Sequence, residues 1–432
     1  MKKYFCLLLF WALIASSTFG AGKMTLKERI ATLPATKTEK IQCDTLFSEA
    51  WEFAITQPLD HKNKAGRKFQ QQVFLDYVGP DAPVVVITEG YSVRRNYVSE
   101  LARLLRCNQI IIEHRYFDES VPDSLDWRYL TAWQSATDQH EVIELFKPVF
   151  RGKWISTGIS NGGENVMFHS FYYPKDVDVR VPYVGPLNFG PEDPRMASFL
   201  ANDGTPECRE KVYEFQKLAL EKFDVLFPMM QKMAEEQKWT FNRIGSPQKA
   251  FEMSVLELEF AFWQWGYSCD KIPLKGTDEE IFDFLSQVGD FTYFSDQGVK
   301  YFEPFFYQAL TQIGYYGYQF DRFKGLLHYA SDNGKPEFLF SAPEGVALPP
   351  YDYKFARNVD RYIRTKARHF IFLYGEYDPW SAAAADPGSN KSCIKVVNPG
   401  GSHGTRIMTL PVEQRELVIK KLEEWLGLKI AI

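Results

Sequence analysis

Past its first two dozen positions the sequence has no apolar run approaching the roughly 20 residues that a bilayer span requires. It has no internal repeat, no heptad pattern and no low-complexity tract, which excludes solenoids, coiled coils and long disordered tails. No basic stripe runs along the 432 residues and the formal charge is -5, so a nucleic-acid partner is not expected. Histidine is scarce, at seven, and neither the histidines nor the six cysteines fall at metal-ligand spacing, so no metal site is expected. What is abundant is apolar surface: hydrophobic residues make up 45% and aromatics 16%, enough for a well-buried core. The aromatic surplus either lines a pocket or fills that core.

The first residues follow a different rule. Lys2 and Lys3 precede an apolar run from Tyr4 to Ile14 and then the small residues of Ala15 to Ala21. That order predicts a secretory signal peptide over 1–21, too short for a span, and hence a chain that is secreted or periplasmic. Cys6 lies inside the apolar run. Without it Cys43, Cys107, Cys208, Cys269 and Cys393 remain, an odd number that permits at most two disulfides in an exported protein. Cys208 and Cys269 share the middle region and are the first expected pair.

Along the rest of the chain strands alternate with helices. Residues 52–78 favour strands, and Pro83 to Thr88 and Gln109 to Ile112 are continuous apolar runs, as in strands covered on both faces of a parallel sheet. Helical spacing covers Tyr97 to Leu105 and Trp133 to Phe146. Strands return at Lys153 to Thr157, Val177 to Tyr183, His369 to Tyr374 and Ile394 to Val397, and Pro411 to Leu426 closes as a helix. The alternation predicts an α/β class, a doubly wound sheet. From about Asn188 to Leu348 the texture is helical, over Cys208 to Phe227, Pro247 to Trp265, Asp278 to Val288 and Phe302 to Ile313. The expected division is therefore a core in two parts, 22–187 and 349–432, with a helical cap inserted at 188–348.

Gly158-Ile159-Ser160-Asn161-Gly162-Gly163 follows the strand ending at Thr157 and opens a helical pattern, the context of a Gly-x-Ser-x-Gly nucleophile elbow. Gly400 to Gly404 fits the same pattern, but no histidine follows His403, so Ser402 lacks downstream partners. Ser160 has both. Asp378 and then His403 each follow a strand, giving the order Ser, acid, His of an α/β-hydrolase fold. His403 would take the Ser160 proton and Asp378 would orient the imidazole. Each has a plainer reading: Asp378 as an Asx turn before Pro379, His403 as a loop residue. For the oxyanion the backbone N–H groups of Asn161 and of Gly90 or Tyr91 are the candidates, with Gly90 alternatively a turn residue. The aromatic run Phe260 to Tyr267, with Trp263 and Trp265, is a core helix or a substrate wall.

Gln57-Pro58-Leu59-Asp60-His61, Thr88-Glu89-Gly90-Tyr91, Glu113-His114-Arg115-Tyr116-Phe117, the elbow, Trp263-Gln264-Trp265-Gly266 and Asp378-Pro379-Trp380 occur in this order. On these stretches the chain resembles the secreted bacterial prolyl tri- and tetrapeptidyl aminopeptidases, serine peptidases of the α/β-hydrolase fold. It is more distantly similar to lysosomal prolylcarboxypeptidase and dipeptidyl peptidase. The resemblance implies release of short peptides from free N-termini, often after proline, a helical cap over the site, a peptide substrate and no cofactor. The family elbow usually has lysine after the serine, where this chain has Asn161, a difference that bears on substrate preference. A desolvated α-ammonium needs a carboxylate, for which Glu89, Glu113 and Glu259 are the candidates. Glu113 could instead pair with Arg115, and Glu259 could face solvent. An esterase or amidase, or a binding protein without activity, are the competing readings on the same fold.

Overall fold

The computed structural model describes residues 24–431; the expected signal peptide, with Cys6, lies outside them. Nine strands form one sheet: β1 Ala35–Ile41, β2 Glu49–Pro58, β3 Lys68–Tyr77, β4 Val84–Thr88, β5 Asn108–Ile112, β6 Trp154–Ile159, β7 Val179–Tyr183, β8 Phe370–Gly375 and β9 Cys393–Asn398. Their order is β1-β2-β3-β5-β4-β6-β7-β8-β9; pairings up to β3 with β5 are antiparallel and the rest parallel. β5 lies on one side of β4 and β6 on the other, so the chain reverses its winding at β4. Ligands of doubly wound sheets bind outside the carboxyl ends of the strands at such a switch point. This is the α/β-hydrolase fold.

The helices are α1 Leu26–Ile30, α2 Glu100–Leu105, α3 Ala132–Phe146, α4 Asn161–Tyr172, α5 Arg195–Leu200, α6 Pro206–Glu221, α7 Phe223–Gln237, α8 Pro247–Trp265, α9 Asp278–Gly289, α10 Asp296–Gln308, α11 Phe355–Thr365 and α12 Val412–Leu426. Alternation along each strand supplies both sheet faces. Val85, Ile87, Ile111 and Ile155 pack with Leu101 of α2 and Val418 and Leu422 of α12. Val84, Val86, Ile110 and Ile112 pack with Val142, Ile143 and Phe146 of α3. Helices α5 to α10 follow β7 and precede β8 in the chain, and their apolar residues join those of α4 and β8 in one cluster.

Several elements differ from expectation for local reasons. The exposed edge strand β1 has no apolar alternation to announce it, and is held by its pairing with β2. The helix expected from Tyr97 begins at Glu100, where the Ser99 hydroxyl accepts the Ala102 N–H at 3.2 Å. The helix expected over Cys208 to Phe227 is two, broken at Lys222. Helix α10 starts six residues before the expected Phe302, where the Ser295 hydroxyl caps Gly298 N–H. The expected Cys208–Cys269 disulfide is present.

Candidate active site

Ser160 occupies the turn between β6 and α4 with φ 58° and ψ -124°, a region unfavourable to any residue bearing a Cβ. The turn is locked at both ends: Ser160 N–H donates to Tyr183 O at 2.9 Å, and Glu164 N–H to Ser160 O at 3.0 Å. The surrounding glycines are forced by proximity. A Cβ on Gly158 would lie 2.3 Å from Gly162 O, and one on Gly162 2.6 Å from Thr88 O. These contacts are why the elbow has its sequence signature.

The loop after β4 is clamped to α4 by side chains. Thr88 Oγ1 donates to Gly162 O at 3.0 Å, Asn161 Nδ2 to Gly90 O at 2.8 Å and Asn165 Nδ2 to Glu89 O at 3.0 Å. A Cβ on Gly90 would come within 2.5 Å of Asn161 Cβ, so glycine is required there by close approach rather than by a simple turn. The Asn161 side chain thus has a use of its own, fixing the Gly90–Tyr91 backbone beside the elbow. Tyr91 packs its ring edge-on against Phe117 and Phe302. Burial pushes its hydroxyl well above the usual tyrosine range, an effect that the Ser160 side chain slightly eases.

Asp378 and His403 are brought together across 25 residues. His403 Nδ1 and Asp378 Oδ2 are 2.7 Å apart, both residues being buried. The other carboxylate oxygen, Oδ1, accepts the Trp380 N–H at 3.2 Å, so the Asx-type turn and the imidazole contact coexist in one side chain. The histidine loop is pinned by Tyr377 N–H to Gly401 O at 2.8 Å and by His403 N–H to Gln264 O at 2.9 Å, the latter from the end of α8. Among the described residues no hydrogen bond joins the Ser160 hydroxyl to the His403 ring.

The two tryptophans of α8 part company. Trp263 is buried, its ring over Gly204 and edge-on to Tyr377. Trp265 is 60% exposed and stands edge-on to His403 at 5.7 Å between ring centres. The three carboxylates suggested for an α-ammonium all have other partners. Glu89 accepts the Tyr97 hydroxyl, and burial raises its pKa. Glu113 accepts Val93 N–H and the Ser120 hydroxyl, each at 2.7 Å, and burial raises it to about 7. It is not paired with Arg115, which forks onto Asp138 at 2.6 and 2.8 Å, with His61 Nε2 2.6 Å from the same carboxylate. Glu259 is buried, not solvent-facing, and accepts Arg322 Nη1 at 2.7 and 2.8 Å.

Sequence reasoning missed Glu164, a buried carboxyl one helical turn after Ser160; the i, i+4 spacing was the available signal. It also missed Asp203, buried and raised to about 7, chiefly by desolvation and then through the charges of Asp378 and Glu376. Among the described residues the one group of potential metal ligands is His140, Glu144 and Asp176. Lys147 Nζ lies 2.6 Å from Glu144 and 3.7 Å from Asp176 and already supplies the positive charge there.

The family described as PS-10 peptidase S37 matches residues 22–432. The prolyl tri/tetrapeptidyl aminopeptidase of Streptomyces mobaraensis is 33% identical over 379 residues, 86% of this chain and 79% of that protein. A probable serine protease of Arabidopsis thaliana, EDA2, is 26% identical over 144 residues, 31% of this chain and 29% of that one. Among solved structures, the proline iminopeptidase of Mycobacterium smegmatis aligns with a TM-score of 0.43 at 15% identity, covering 86% of this chain and 98% of that one. The acetyl xylan esterase of Paenibacillus sp. R4 aligns with 0.39 at 11%, covering 92% and 91%. The fold assignment rests on the strand order and not on these alignments.

Proposed function

The chain belongs to the S37 family of serine peptidases and is of the tripeptidyl aminopeptidase type; from that premise we propose that it releases tri- or tetrapeptides from free N-termini, often after proline, through an acyl-enzyme on Ser160. The observation that carries this is the family match over residues 22–432. In the mechanism, His403 Nε2 accepts the Ser160 proton as the hydroxyl attacks the scissile carbonyl, then returns it to the departing amine. Asp378 holds Nδ1–H and stabilises the imidazolium. The 2.7 Å contact between them supports these roles. Catalytic hydrogen bonds are often long before substrate binds, and the Ser160–His403 contact closes in the Michaelis complex. Asn161 N–H and an N–H of Gly90 or Tyr91 receive the oxyanion, in a loop whose position the Asn161 and Asn165 amides support.

Residues 188–348 act as the cap that limits access to short peptides, and exposed Trp265 beside His403 forms part of the substrate wall. The protein is exported, a reading supported by the basic, apolar, small-residue order of 1–21 and by the Cys208–Cys269 disulfide. No helix among the described residues is long and apolar enough to cross a membrane.

The test is hydrolysis of tripeptide amides with free and acetylated N-termini. Loss of turnover on acetylation is expected; indifference to it, with faster cleavage of short esters, would point to an esterase instead. Fluorophosphonate labelling of the wild type and of Ser160→Ala examines the nucleophile, and equal labelling of both would remove Ser160 from the role.

A further inference from the structure

Glu164 lies in the first turn of α4, four residues after Ser160, and is 3% exposed. Its Oε1 is buried with no hydrogen-bond partner, and desolvation is the sole influence on its ionisation, with neither a cation nor a donor compensating it. Burial holds its pKa well above the usual carboxyl range, and the groups coupled to its ionisation are the hydroxyls of Tyr91, Tyr351 and Tyr374. Of these Tyr91 is the neighbour of Ser160, and the buried Tyr351 hydroxyl is itself unpartnered. An uncompensated carboxyl at this depth is costly to a fold, whereas Glu89, Glu113 and Glu259 are all satisfied by other groups.

From this arrangement we infer that Glu164 is the group that receives a primary ammonium of the substrate. The inference rests on the aminopeptidase reading above and names the residue that gives the site its demand for a free N-terminus. A charged ammonium brought beside the carboxyl supplies the hydrogen-bond partner that Glu164 Oε1 lacks. Glu164 N–H donates to Ser160 O at 3.0 Å, which sets the two residues one helical turn apart, roughly 5–6 Å at the backbone. With the reach of the glutamate side chain added, and at about 3.3–3.6 Å of extended chain per residue, the anchored ammonium belongs two or three residues before the scissile bond. The same chemistry could be met by a lysine side chain at the residue preceding that bond, and the experiment separates the two sources.

The full chain and its Glu164→Gln variant are compared on a tripeptide anilide ending in proline and on its N-acetylated twin. The expected result is that the wild type prefers the free N-terminus by 100-fold or more in kcat/KM. The variant loses at least tenfold of that preference, through a higher KM for the free peptide. A wild type that discriminates and a variant that keeps the full ratio would overturn the assignment. If the wild type itself ignores acetylation, the aminopeptidase reading fails and the second arm decides: acetylated peptides with lysine or leucine before the scissile bond. A lysine preference lost in the variant then keeps the ammonium site with a side chain as its source, and identical selectivity in both proteins overturns it. Should Glu164→Gln not fold, as judged by its circular dichroism and melting curve, Glu164→Met removes the charge at similar volume and is put through the same two arms.

Discussion

Ser160 is held at a positive φ by hydrogen bonds on both sides, and backbone strain of this kind costs on the order of 1–3 kcal/mol. Glycine accepts the conformation and alanine does not. Ser160→Gly is therefore expected to melt at higher denaturant concentration than the wild type, by about 1 kcal/mol, while Ser160→Ala gains nothing. Both variants should lose about 10⁶ in kcat, the size seen when a member of a cooperating triad is removed. Urea titration with parallel kinetics checks the pair, and a destabilised Ser160→Gly would contradict the strain argument.

At the scale of elements, the C-terminal end of α8 meets the histidine loop. Gln264 O accepts His403 N–H, and a Cβ on Gly266 would stand 3.0 Å from Ser402 Cβ. The two neighbouring tryptophans differ in burial, and the proposed function gives substrate contact to the exposed one alone. Trp263→Ala empties a buried site and should cost about 3–5 kcal/mol. Trp265→Ala removes an exposed ring, should change stability by less than about 0.5 kcal/mol, and should raise KM for peptides. Thermal melts and Michaelis curves on the two variants test this, and equal effects on stability would show that the rings are not divided in this way. The Cys208–Cys269 disulfide closes a loop of 61 residues between the start of α6 and the segment after α8. Replacing both cysteines by alanine should cost about 4 kcal/mol on the chain-entropy estimate, read as a drop in the urea midpoint.

For the whole molecule, buried carboxyls set the dependence of stability on pH. Glu113, Glu257 and Asp203 are each raised to about 7, chiefly by desolvation. The folded state holds protons that the unfolded state has already released, so this contribution is full below the ordinary carboxyl range and is lost as pH rises through about 7. His114, lowered to about 4 by burial, acts in the opposite sense, but only as pH falls below its ordinary value of 6.5. Between pH 8 and 6.5 the carboxyls act without that opposition. The melting temperature should accordingly rise as pH falls across this window; a flat or falling profile in differential scanning calorimetry would mean that these groups are ionised in the folded protein.

The sequence alone determined the elbow, the alternation of strand and helix, and the chain order of Ser160, Asp378 and His403. These depend on short-range requirements: Gly158 and Gly162 face atoms of their own turn and of β4, and continuous runs such as Val84–Thr88 announce strands covered on both faces. The tertiary structure decided which carboxylates are already in use. Arg115 chose Asp138 over its neighbour in sequence Glu113, Glu259 found Arg322 across 63 residues, and Asp378 both closed its own turn and held His403. The partner of a buried charge is whatever the packed elements bring within about 3 Å, and local sequence carries no record of that. Glu164 shows the same division, since its position a turn beyond Ser160 was legible while its lack of a partner was not.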